Sequence, residues 1–137
     1  MKKSLFLLFI PLLITGCLKT STNARLVNIN RGGCGGIDKN ELLDVALMRD
    51  TAYCTFDDSR MNLFVGVMNG CCSEFATEAV AEDGVITANI TTTVPGLCDC
   101  ICYYTYTFTF LGIEDNWNYV VYIDGVKKFS GKVLEDR

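Results

Sequence analysis

The chain has 137 residues, with 12 lysines and arginines, 16 acidic residues and no histidine, and a formal net charge of −4. The absence of histidine excludes Ser-His-Asp and Cys-His nucleophilic catalysis, histidine general bases and histidine-ligated zinc or iron. The acidic balance, with no basic stripe, argues against nucleic acid as a partner. We therefore expect a non-enzymatic protein that carries no cofactor.

The N-terminus has the pattern of a lipoprotein signal peptide. Two lysines precede an apolar run at residues 5–14, which is too short for a membrane-spanning helix of about 20 residues. Small residues then lead to Cys17, as in the lipobox of bacterial lipoproteins, whose cysteine is acylated and becomes the first residue of the mature chain. This pattern predicts that residues 1–16 are removed as the signal peptide.

The predicted lipid anchor also predicts a location. Acyl chains such as palmitate on Cys17 would attach the protein to a membrane. Leu18 follows the cysteine, where some lipoproteins carry the aspartate that retains them in the inner membrane. We therefore expect a lipid-anchored protein of the cell envelope, in the outer membrane.

Residues 17–36 have the composition of a flexible tether after the acylated cysteine. The stretch is rich in serine, threonine and asparagine at first, and it ends in a glycine cluster around Cys34, with few side chains to pack. Val27 and Ile29 leave a short edge strand possible. Residues 37–137 are predicted to form the folded domain.

From residue 37 onward, apolar residues alternate with polar ones at period two, which is typical of β-strands. The segment 73–80 has features of both strand and helix, and the short spacing between its neighbours favours a strand. Turn dipeptides such as Asn69-Gly70 and Asp124-Gly125 separate the runs. Seven or eight short strands with regular turns predict an all-β protein, a single antiparallel, immunoglobulin-like β-sandwich.

The longest alternating stretch, residues 98–111, predicts a central strand. Because side chains alternate across a strand, its second face would carry mostly threonines. The core face would carry Cys98, Cys100, Cys102, Tyr104, Tyr106, Phe108 and Phe110.

Export into an oxidising compartment predicts disulfide bonds among the cysteines beyond Cys17. An odd number of cysteines remains, so at least one is free, pairs between chains or binds a ligand. The spacing of alternate strand residues disfavours bonds within the row at 98, 100 and 102, so at least one of the three should bond to Cys71 or Cys72. On a strand, only one of that adjacent pair reaches the row without a bulge. The candidates are Cys34, Cys54, Cys71, Cys72, Cys98, Cys100 and Cys102.

A thiolate metal site is the alternative use of these cysteines. Cu(I) or zinc is bound by clusters of three or four sulfurs, and the alternative ligands are Cys72, Cys98, Cys100 and Cys102. Familiar Cys-x-x-Cys knuckles are absent from the sequence, and an oxidising compartment consumes free thiols. Disulfide bonds are therefore favoured.

Two motifs carry a resemblance to a group of known proteins. Asn69-Gly-Cys-Cys-Ser-Glu-Phe75 and Cys98-Asp-Cys-Ile-Cys-Tyr-Tyr104 resemble segments of uncharacterised small cysteine-rich lipoproteins of Bacteroides-type bacteria, over residues 37–123. The resemblance implies a shared β-fold and a cell-envelope location, and it carries over no catalytic residue. Surface-exposed members often have acidic residues after the acylated cysteine. Leu18-Lys19-Thr20 lacks them, so periplasmic and surface-exposed locations both stay open.

Together these observations predict a cell-envelope lipoprotein whose disulfide-stapled β-sandwich acts as an accessory or binding module. The alternative is a periplasmic thiolate metal (Cu/Zn) binding protein. The expected partners are the membrane, through the lipid anchor, and a protein or glycan of unknown identity.

Overall fold

The computed structural model describes residues 24–35, 49–57, 60–114 and 116–133. The predicted signal peptide and Cys17 lie outside the described residues. The described ranges form eight strands: β1 (Arg25–Gly35), β2 (Thr51–Asp57), β3 (Arg60–Gly70), β4 (Glu74–Glu82), β5 (Val85–Val94), β6 (Ile101–Leu111), β7 (Asn118–Ile123) and β8 (Val126–Lys132). Across these ranges, no helix has the length and apolarity needed to cross a membrane.

The strands form two four-stranded sheets that pack against each other. Sheet A has the order β1-β6-β3-β2, and sheet B has the order β4-β5-β7-β8. The predicted all-β sandwich is therefore confirmed, and so is the strand favoured for residues 73–80, which corresponds to β4. The Asp124-Gly125 turn joins β7 to β8 with positive φ at both residues, the conformation that suits a two-residue hairpin loop.

β6 lies between β1 and β3 in sheet A, and its two faces differ as the sequence predicts. Cys102, Tyr104, Tyr106, Phe108 and Phe110 are buried, and the residues between them are only half-buried. The inner face of β3 contributes further buried side chains, and β5 and β7 do the same from sheet B. The core includes Met61, Leu63, Val65, Val67, Ile86, Ala88, Ile90, Trp117, Val121 and Ile123.

Aromatic rings connect the two sheets across this core. The ring of Phe75 in β4 meets Tyr104 edge-on, with a centroid distance of 4.8 Å, and it meets Tyr106 at 6.0 Å. Such edge-to-face pairs contribute about 0.5–1.5 kcal/mol each beyond the buried area. Burial raises the pKa of Tyr106 to about 12, so its hydroxyl stays protonated at neutral pH.

One strand pair departs from the predicted antiparallel arrangement, since β5 and β7 are parallel. Parallel neighbours need a crossover connection, and here β6 supplies it from the opposite sheet. The end of β7 is closed by Asp124, whose carboxylate accepts hydrogen bonds from the Thr92 backbone N–H at 2.6 Å and from the Thr92 hydroxyl at 3.0 Å. Hydropathy alternation carries no information on strand direction, so the sequence did not reveal this pair.

The folded domain begins earlier than residue 37. Residues 25–35 lie within the stretch predicted as a tether, but they form β1 and pair with β6 along sheet A. The edge strand suggested by Val27 and Ile29 is thus present. The guanidinium of Arg31 donates to the Thr77 hydroxyl at 2.8 and 3.0 Å, which ties this edge of sheet A to β4 of sheet B.

The alternation in β6 predicts a large loss of stability for one of two adjacent substitutions and a small loss for the other. Phe108→Ala removes a fully buried ring and should lower the free energy of unfolding by about 3–5 kcal/mol. Thr107→Ala, on the outer face, should lower it by less than about 1 kcal/mol. Urea unfolding followed by circular dichroism measures both, and equal losses would contradict the assignment of the faces.

Candidate functional site

Two connections between the sheets lie at the same end of the sandwich. Residues 71–73 link β3 to β4, and residues 95–100 link β5 to β6. The strand register brings them together, because Gly70 is opposite Ile101 in sheet A and Glu74 is opposite Val94 in sheet B. We call these two connections the stapled end.

Two disulfide bonds join the connections to each other. Cys71 is bonded to Cys100 and Cys72 to Cys98, with Cα–Cα distances of 5.4 and 6.4 Å. Both members of the adjacent pair reach a partner because they lie in a turn, with a positive φ of 65° at Cys72, and not on a strand as the sequence analysis assumed. The disulfide bonds predicted for this chain are present.

The predicted row of three cysteines on one strand is corrected by the structure. β6 begins at Ile101, and Cys98 and Cys100 lie before it in the exposed loop. Only Cys102 is on the buried face of the strand, and it too is disulfide-bonded. The loop geometry lets the first two sulfurs approach the 71–73 turn from outside the core.

Hydrogen bonds hold the backbone of the stapled end in place. The Cys71 N–H donates to the Cys100 carbonyl at 3.0 Å. The Ser73 hydroxyl donates to the Gly70 carbonyl at 2.8 Å and accepts from the Gly96 N–H at 2.9 Å. A Cβ at Gly96 would collide with the carbonyl oxygen of Cys71, so the two connections approach each other as closely as only glycine permits.

The cysteines of the metal-site alternative are in disulfide bonds in this structure. The sulfurs of Cys72 and Cys98 are bonded to each other. Cys100 is bonded to Cys71, and Cys102 is in a disulfide bond of its own. A sulfur in a disulfide is not a thiolate, and thiolate is the ligand that Cu(I) or zinc needs. No other group of three or more potential ligands suited to a metal ion occurs among the described residues.

Cys54 is the free cysteine among the described residues, whereas the side chain of Cys34 lies outside the described part of the chain. Cys54 is on the inner face of β2 and packs against the core. Burial raises its pKa from 9.0 to about 12. Its thiolate is therefore scarce at neutral pH, and the thiol is chemically inert.

The outer face of sheet A carries a second notable group, which we call the aromatic face: Tyr53, Phe64 and Tyr103. Tyr53 and Phe64 are opposite each other on β2 and β3, and their rings stack with centroids 4.9 Å apart. Tyr103 lies across Gly66, where a Cβ would collide with its ring. Burial, Tyr53 and Asp50 together raise the pKa of Tyr103, which keeps its hydroxyl protonated.

The aromatic face was missed by the sequence analysis because its members are far apart in the chain. A strand pattern reveals which residues share a face of one strand, but it does not reveal the register between strands. One signal was available in the sequence. Tyr53 and Phe64 are each out of phase with the core-facing residues on either side in the period-two pattern, which places both on the side away from the core. Trp117, by contrast, is buried in the core.

The outer face of sheet B differs in charge. β4, at one edge, exposes Glu74, Glu78 and Glu82, and β8, at the other edge, exposes Lys127 and Lys132. Such charges on edge strands discourage edge-to-edge aggregation. Tyr122 is half-buried on this face, between Asn89 and Lys127 in the strand register.

Comparisons of the chain with protein-family models, with curated proteins and with solved structures found no match.

The stapled end predicts a loss of stability when its cross-links are removed. The double substitution Cys71→Ser/Cys100→Ser opens a loop of 29 residues, and a disulfide across such a loop contributes roughly 2–4 kcal/mol. The melting temperature should fall by roughly 10 °C, measured by circular dichroism. Asp99→Ser, in the same exposed loop, is the matched control. An unchanged melting temperature of the double variant would show that the bond contributes nothing.

We expect the Cys54 thiol to react with an alkylating reagent only after the protein is unfolded. With a pKa of about 12, it should resist iodoacetamide at pH 8 in the native protein and react readily in denaturant. The raised pKa also stabilises the fold below the unfolded-state value of 9.0, and this contribution should be lost as the pH rises toward 12. Mass spectrometry of the alkylated protein checks the first expectation; rapid native labelling of Cys54 would contradict it.

Proposed function

We propose that this protein is a non-enzymatic lipoprotein of the cell envelope, anchored in the outer membrane through acylated Cys17, whose β-sandwich acts as an accessory or binding module. The observation that carries the proposal is the stapled end, where two disulfides join the β3–β4 connection to the β5–β6 connection. Small domains that work in oxidising compartments use such cross-links to supplement a modest hydrophobic core. The lipobox-like pattern at Cys17 supports a location in such a compartment, the cell envelope.

The chemistry of the side chains supports binding over catalysis. The chain has no histidine, so a serine or cysteine nucleophile would lack its most common base. Cys71, Cys72, Cys98 and Cys100 are consumed in disulfides. Cys54 is buried with a pKa of about 12, which is the reverse of an activated thiol.

The exposed surface supports a binding role at two places. At the stapled end, Leu97 is 92% exposed and Ile101 is 68% exposed. On sheet A, the aromatic face presents Tyr53, which is 48% exposed. Leu97 and Ile101 adjoin the disulfide-linked connections, and Tyr53 lies in a hydrogen-bonded strand pair. Binding groups whose conformation is fixed before binding lose less entropy when a partner is bound.

The anchor is tested by Cys17→Ser in the full-length chain. The wild-type protein should fractionate with outer membranes and incorporate labelled palmitate, because the acyl chains of the diacylglycerol group on Cys17 hold it there. The variant should lose both properties while its sandwich stays folded.

Cys54→Ser is the matched control, since it also replaces one cysteine by serine but leaves the predicted acylation site intact. It should remain in the membrane fraction with its label. If Cys17→Ser still fractionates with membranes, the anchoring part of the proposal is wrong.

A further inference from the structure

We infer that the outer face of sheet A is a binding site for a neutral glycan chain, with the aromatic face as its stacking surface. The inference rests on the proposed role as a binding module and names the chemical class of its partner. Three features of this face lead to it: its stacked rings, the ring of Tyr103 over Gly66 and its uncharged hydrogen-bonding groups.

The stacked rings of Tyr53 and Phe64 provide the apolar contact. Tyr53 is 48% exposed, and its ring stacks on that of Phe64 at a centroid distance of 4.9 Å. The face of an aromatic ring carries partial negative charge, and the axial C–H groups of a pyranose carry partial positive charge. A sugar ring therefore stacks on an aromatic side chain, and the remaining sugar hydroxyls point to the sides.

Gly66 makes room for the ring of Tyr103 at the centre of the face. It is an interior residue of β3, a position where glycine weakens a strand and marks close approach by another group. Tyr103 lies across it, since a Cβ there would overlap the hydroxyl and ring carbons of Tyr103. The third ring of the aromatic face is thus held down along the sheet, with its protonated hydroxyl beside Tyr53 and Asp50.

Uncharged hydrogen-bonding groups surround the rings. The register aligns threonines of β2 and β6 and one asparagine of β3 beside them, and the Thr109 hydroxyl donates to Asn62 at 2.8 Å. Hydroxyl and amide groups both donate and accept, which matches the mixed donors and acceptors of sugar hydroxyls. The group consists of Thr51, Thr55, Asn62, Thr105, Thr107 and Thr109.

The charge of the face distinguishes a neutral glycan from other partners. Asp50 is opposite the Met68 end of the face, where its carboxylate accepts from the Met68 N–H at 2.8 Å, and Arg60 lies at the far end of β3. Nucleic acids and acidic polysaccharides need a row of cations, and the described strands of this face place none among the rings. The centre of a protein–protein interface is usually more apolar than this threonine-rich surface.

The test uses the full-length lipoprotein in a non-ionic detergent that has no sugar headgroup. It is run by native affinity electrophoresis in gels that contain barley β-glucan, yeast α-mannan, wheat arabinoxylan or pullulan, with polygalacturonate as the acidic comparison. The wild-type protein should be retarded by at least one neutral polysaccharide and not by polygalacturonate. Tyr53→Ala/Phe64→Ala should weaken that retardation by about tenfold or more, as expected for the loss of central aromatic contacts.

Two variants separate the site from the fold. Tyr53→Ala alone removes an exposed ring, so it should weaken retardation without lowering the melting temperature appreciably. Tyr122→Ala removes a ring from the outer face of sheet B and should bind as the wild type does.

The inference is overturned if none of the four neutral polysaccharides retards the wild-type protein, if polygalacturonate retards it equally, or if the double variant binds unchanged. It is also overturned if Tyr53→Ala instead dissociates a dimer or releases a protein partner. These outcomes leave the membrane fractionation of the Cys17→Ser variant unaffected, so a failure of the glycan inference is distinguishable from a failure of the proposed anchor.

Discussion

The cross-linking of the β3–β4 connection to the β5–β6 connection is the constraint on which the rest of the structure depends. Core packing between two sheets is strong but non-directional, and it does not by itself fix which ends meet. The Cys71–Cys100 bond closes a loop that contains the whole β4–β5 hairpin. Closing that loop reduces the conformational freedom of the unfolded chain and holds the start of β6 beside the end of β3 in the folded chain.

The inner and outer faces of β6 can then serve different purposes. Its register with β3 is fixed at the stapled end, where Gly70 is opposite Ile101, and a slip by one residue would expose Phe108 and Phe110 together. Because the inner face supplies the core with its large aromatic side chains, the outer face is free to carry threonines and Tyr103. The aromatic face is therefore a consequence of a register that the core and the disulfides jointly enforce.

The sequence predicted those parts of the fold that depend on local pattern. Alternation predicted the sandwich and the buried face of β6, and Asp124-Gly125 predicted the last hairpin. Features that depend on long-range pairing were not predictable: the parallel β5–β7 pair, and the inclusion of β1, whose glycines and polar residues look like a tether. The prediction that only one of Cys71 and Cys72 reaches a partner was wrong because it placed them on a strand. The turn that they form needs a left-handed conformation at Cys72, which is uncommon for a non-glycine residue.

The aromatic face shows why a candidate site of this kind is hard to find in a sequence. Tyr53 and Phe64 become neighbours only through the β2–β3 register, and Tyr103 joins them only through β3–β6 pairing across Gly66. Weak contacts such as ring stacking and neutral hydrogen bonds replace contacts with water, so each adds little by itself. They give useful affinity when the surface is already in its bound shape, and a sheet whose register is fixed by disulfides at one end supplies such a surface.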